Sequence, residues 1–92
     1  MKEISTHGLI LNVDPDVMDD YEILVLIKHL DRRELQYVPD AIEKLLGEKQ
    51  TQMVVDAMKA QNEKGKCRIT DMFEIVNDVI SQLAAQDETA KK

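Results

Sequence analysis

Five apolar residues in a row, Ile23, Leu24, Val25, Leu26 and Ile27, lie inside the stretch YEILVLIKHL from Tyr21 to Leu30. At about 100° per residue, a helix through such a run is apolar on every side. A helix of that kind has to be covered on every side, so the other apolar segments are expected to pack around it. Isoleucine, valine and tyrosine also suit strands, and periodicity does not separate a buried strand from a buried helix. The flanks decide for a helix. Asp14, Asp16, Asp19, Asp20 and Glu22 precede the run, where a helix dipole favours carboxylates, and Lys28 and His29 lie near the end that favours cations. The expected helix runs from Asp16 to Leu30, and full burial predicts a cost of about 2–5 kcal/mol for Leu26→Ala.

The rest of the chain supplies candidate covers. Ile4, Leu9, Leu11 and Val13 alternate with more polar positions around Thr6-His7-Gly8, which predicts a β-hairpin from Lys2 to Val13. Two strands alone are marginal in water, so the hairpin is expected to lie against the central helix. Asp14 or Asp16 is placed to cap that helix, with Pro15 in its first turn. Beyond the polar stretch Asp31-Arg32-Arg33-Glu34, Pro39 leads a helix with Ala41, Ile42, Leu45 and Leu46 on one face, and Gly47 reads as its C-cap. Glu48 opens another helix on which Met53, Val54, Ala57 and Met58 share a face, with Val55 off it. After the polar turn at Asn62 to Lys66, Cys67 and Ile69 are expected in extended form, with Thr70 as N-cap of the last helix. Met72, Phe73, Ile75, Val76, Val79, Ile80 and Leu83 form its broad apolar face. The predicted fold is mainly α: one small domain over residues 1–85, of about four helices with a short N-terminal β-hairpin. Gln86 to Lys92 has no apolar anchor and is expected to fray.

Function classes narrow by chemistry. Ninety-two residues with a formal charge of −6 make one modest core inside an acidic surface. That charge weighs against nucleic acid. Gly47 between two helices suggests a helix-turn-helix, but the would-be reading segment EKQTQMVVDAMK offers only Lys49 and Lys59 against Glu48 and Asp56. There is no run of about 18 apolar residues to span a membrane, and no apolar h-region follows Lys2. Cys67 is alone, which excludes an internal disulfide, and a cytoplasmic location is expected. The aspartates before the central helix lack the central glycine and distal glutamate of a calcium loop, and helix capping accounts for them. His7, His29 and Cys67 are too scattered for zinc, and no local signature supports a Cys–His nucleophile. No catalytic, cofactor-binding or metal-binding residue is predicted. Met53, Met58 and Met72 lie on or beside apolar faces, where a thioether suits an adaptable binding surface as well as a core.

Taken in order, HGLILNVDPDVMDDYEILVLI, VPDAIEKLLGEKQ and GKCRITDMFEIVNDVISQL resemble the small tail assembly chaperones of long-tailed bacteriophages and prophages of Gram-positive bacteria. The likeness lies in a Gly-centred turn, an acidic start to an apolar helix, a Pro-led helix ending in Leu-Leu-Gly, and a Gly turn before the last helix. It runs from Gly8 to Leu83, and the basic stretch Lys64-Gly65-Lys66-Cys67-Arg68 departs from it. The resemblance implies a non-enzymatic factor of virion morphogenesis in the host cytoplasm, a monomer or small homo-oligomer. It would bind the tape-measure protein, and in some systems the tail-tube protein, before the tube polymerises. Many members are also made in a longer, frameshifted form. With the breadth of the last helix's apolar face, the resemblance points to Met58, Met72 and Phe73 as candidate protein-binding residues. The alternative is a small acidic helical adaptor or antitoxin-like regulator that acts by protein–protein interaction.

Overall fold

The computed structural model describes residues 1–90, with side chains as far as Ala84. Strands β1 (Lys2–Thr6) and β2 (Leu9–Val13) pair antiparallel, with Ile4 opposite Leu11 and Thr6 opposite Leu9. The period of two puts Ile4, Thr6, Leu11 and Val13 on a buried face, while Glu3, Ser5, Ile10 and Asn12 face water. His7 and Gly8 close the hairpin with φ of 51° and 78°. Both are positive, as a type I′ turn requires and as the right-handed twist of two strands favours.

A 3-10 turn (Pro15–Asp19) follows, then helix α1 (Tyr21–Asp31), a second 3-10 turn (Leu35–Tyr37), α2 (Val38–Gln61) and α3 (Ile69–Ala90). The protein is mostly helical, with three α-helices in place of the expected four or so. The difference lies at Gly47, which breaks the course of α2 at φ 81°, ψ 166° without a connecting loop. That region of backbone space is open essentially to glycine alone. A Cβ added there meets nothing within 4 Å, so the penalty for Gly47→Ala is backbone strain without a clash. We expect a loss of about 1–3 kcal/mol, read in a denaturant melt.

Helix α1 starts at Tyr21, later than the expected Asp16, because two aspartates cap in succession. Asp14 Oδ1 accepts from the Asp16 N–H at 3.0 Å and holds the 3-10 turn. Asp20, extended at φ −91°, ψ 122°, then accepts from the Glu22 N–H at 2.8 Å and begins the helix proper. At the far end the Glu34 N–H donates to His29 O and the Arg33 N–H to Leu30 O, with Arg33 left-handed at φ 62°. This is a Schellman ending with arginine in the usual glycine place. The apolar contact that often accompanies it is replaced by His29 Nδ1 and Glu34 Oε1 at 2.6 Å, with Tyr37 stacked on the imidazole at 3.9 Å between centroids. Helix α3 begins at Ile69, so Thr70 lies within its first turn and is not the cap. The expected tail over Gln86 to Lys92 overlaps the end of α3, whose backbone runs to Ala90; the side chains from residue 85 and residues 91–92 lie outside the described residues.

The core is built differently from the expected centre. Strand β1 packs on α3 and β2 on α2, while α1 packs on α2 and on the two 3-10 turns beside it. The hairpin therefore does not cover α1. A polar clasp reinforces its seat on α3: the buried Thr6 hydroxyl donates to Asp78 Oδ2 at 2.6 Å, and Gln82 Nε2 donates to Ser5 O at 2.9 Å. On the α2 side, Gln50 Nε2 donates to Asn12 O at 2.7 Å and its Oε1 accepts from the Asn12 N–H at 2.8 Å. Of α1, only Ile23 and Leu30 are fully buried. Leu26 is partly buried, so the full cost expected of Leu26→Ala passes to its neighbours. Leu30→Ala should lose about 2–5 kcal/mol, whereas Leu24→Ala should change stability by less than about 0.5 kcal/mol.

Candidate functional site

Met58 and Met72 are core residues, at 2% and 7% exposure. The face of α3 that carries Met72 also buries Ile75, Val76, Val79 and Leu83, and it is consumed by β1 and α2. Phe73 is partly buried, and the Arg33 guanidinium lies 5.7 Å from its ring centroid. Of the three sequence-predicted contacts, Met58 and Met72 belong to the buried core, while Phe73 packs against it and keeps part of its surface exposed. Met53, expected on the inward face of α2, points outward.

Ile10, Met53 and Ile69 are exposed on separate elements and Met1 at the chain end, whereas on α1 two large exposed apolar residues share one helix face. Tyr21 is 78% exposed and Leu24 50%, with Val25 partly exposed beside them. Tyr21, Leu24, Val25 and Lys28 stand at i, i+3, i+4 and i+7, one stripe of the helix. Ile23, Leu26, Ile27 and Leu30 make the opposite stripe, which meets α2. Five consecutive apolar residues do circle the axis, but only one side finds a partner.

Beside this stripe runs a shallow groove between α1 and the first half of α2. Its floor is Tyr21, Val25 and Leu26, and its rim carries Glu22, Asp40 and Glu43. Lys44 is the one cation among the lining residues, and it is already shared, at 2.8 Å from Glu22 Oε1 and 3.4 Å from Asp20 Oδ2. The hydrogen bonds to Glu22 and then Asp20 raise the Lys44 pKa. Asp20 is held below the usual aspartate range, chiefly by the Glu22 N–H it accepts; burial opposes this, and the hydrogen bond and charge of Lys44 add to the lowering. A folded pKa below the unfolded one means a contribution that is whole above the ordinary carboxylate range and is lost as pH falls through the folded value. We therefore expect the stability difference between wild type and Asp20→Ala to be largest at neutral pH and to shrink in strong acid, where the carboxyl is neutral and only its weaker capping bond remains. Thermal melts from neutral to acid pH check this. A difference as large in strong acid as at neutral pH would contradict it.

No family model, curated protein or solved structure matches the chain.

Other reactive side chains are engaged structurally. The Thr6 hydroxyl, its proton directed to Asp78, lies 3.0 Å from His7 Nδ1, and His7 Nε2 is 3.2 Å from Glu74 Oε1. With Thr6 donating to a carboxylate, Nδ1 donates to Thr6, and Nε2 can then donate to Glu74 only in the imidazolium form. The set has the members of a hydrolytic triad but not its order, because the hydroxyl proton points away from the base. Burial, helped by the charge of Asp71, pushes the Cys67 thiol up, away from a reactive thiolate. Among the described residues, no three His, Cys, Asp or Glu side chains come together as metal ligands, and no helix is long and apolar enough to cross a membrane.

Sequence reasoning passed over Tyr21, Leu24 and Val25 as surface residues. The signal was present: five consecutive apolar residues circle a helix axis, so any side left without a partner is exposed.

Proposed function

We propose that this chain is a non-enzymatic phage tail assembly chaperone, and that it holds its client on the outward stripe of α1 and the adjoining α1–α2 groove. The observation that carries the reading is the exposure of Tyr21 and Leu24 on the most apolar helix of the chain. A folded chain leaves such a contiguous stripe bare at a cost in solubility, and large exposed apolar patches mark interaction sites. The spacing of Tyr21, Leu24, Val25 and Lys28 suits a helix laid alongside. The order of the sequence motifs supplies the client: a helical segment of the tape-measure protein, with the tail-tube subunit as a second candidate, met in the host cytoplasm before tube assembly. The acidic exterior keeps the loaded complex soluble.

Co-expression with the tape-measure protein encoded nearby is the test. The reading predicts a soluble complex that co-purifies. A client as insoluble with this protein as without it, and no complex recovered, overturns the chaperone reading.

A further inference from the structure

We infer that the α1–α2 groove selects an amphipathic helix whose apolar stripe is flanked by lysine or arginine. This rests on the reading of that groove as the docking surface and specifies the chemistry of what docks there. The floor is apolar, from Tyr21, Val25 and Leu26, while the rim presents three carboxylates, Glu22, Asp40 and Glu43, all on exposed residues. The single ammonium of the rim, Lys44, is neutralised within the chain by Glu22 and Asp20. Glu22 is spent on Lys44, so the uncompensated negative charge of the rim lies on Asp40 and Glu43, along the α2 side of the apolar strip. An incoming apolar helix with acidic flanks meets repulsion on docking, whereas one with basic flanks gains pairs with Asp40 and Glu43 along the α2 side. The same argument excludes a second copy of this chain meeting its own kind groove to groove. Both faces would bring the same acidic rim, and the chain as a whole carries −6.

Two synthetic helical peptides of about 20 residues test the inference on the full chain. Both have leucine at i, i+3, i+4 and i+7; one has lysine at the flanking positions and the other glutamate. Binding is followed by amide chemical shifts, which locate the site and register weak complexes. The lysine-flanked peptide should shift Tyr21, Val25 and Glu43 and bind at least about tenfold tighter at low salt, and the gap should narrow at about 0.3 M salt, where exposed charges are screened. In the double variant Asp40→Asn, Glu43→Lys, checked by its melt to be folded, the preference should disappear. Equal affinity for the two peptides, shifts confined to other surfaces, or no binding of the lysine-flanked peptide overturns the inference. Self-association of the free chain that Tyr21→Asp abolishes would also overturn it, by placing a second copy in the groove that Tyr21 lines. Client capture separates the two levels. If wild type and the double variant hold the tape-measure protein equally while Leu24→Asp does not, the chaperone reading stands and charge selection fails.

Discussion

Met58→Asp is expected to abolish the folded state. Met58 is enclosed at 2% exposure among the residues of the main core. An unpaired carboxylate there costs about 3–5 kcal/mol, and the lost methionine packing adds about 2–5 kcal/mol. A domain of this size is stable by about 5–15 kcal/mol in all, so the two losses together approach or exceed the whole. Far-ultraviolet circular dichroism should show helical signal collapsing and no cooperative melt. Met58→Leu, close in volume and still apolar, should cost less than about 1.5 kcal/mol. If Met58→Asp melts like wild type, this side chain is a surface contact after all, and the assignment of the core is wrong.

The second large effect is on client binding and leaves stability nearly unchanged. Leu24 is half exposed on the outward stripe of α1, so a carboxylate there stays hydrated and Leu24→Asp should melt within about 0.5 kcal/mol of wild type. Within a docked interface the same carboxylate would be desolvated without a partner. A central apolar anchor is often worth 2 kcal/mol or more, so client retention should fall by about thirtyfold or more. Loss of client together with loss of the melt would mark Leu24 as structural. Retention of both would remove α1 from the interface.

Local signals in the sequence were strong where the deciding interaction is local. The hairpin was legible from alternation and from Gly8, because register and turn lie within a dozen residues. Capping by an aspartate was legible in kind, but the expected Asp14 caps the 3-10 turn and the helix itself is capped by Asp20, beyond that turn. Gly47 was read as an end and is a break within α2, since a positive φ alone does not say whether the chain resumes the same course. The apolar face of α3 was correctly seen as broad, but its partner was not. Whether Met72 faces a client or the hairpin depends on where β1 comes to lie, a contact between residues about seventy positions apart, such as Thr6 with Asp78. The same long-range choice reversed the reading of α1. With the hairpin taken by α2 and α3, none of the described elements covers Leu24.

The central claim is that the client rides on α1, not on the apolar faces of α2 and α3. Methyl spectra of the chain, free and mixed with the proposed tape-measure client, test it most directly. The account predicts that the Leu24 and Val25 methyls shift strongly on binding, while those of Val54, Ile75 and Val79 stay in place. Large shifts at Val54, Ile75 and Val79, with Leu24 and Val25 unmoved, would contradict it.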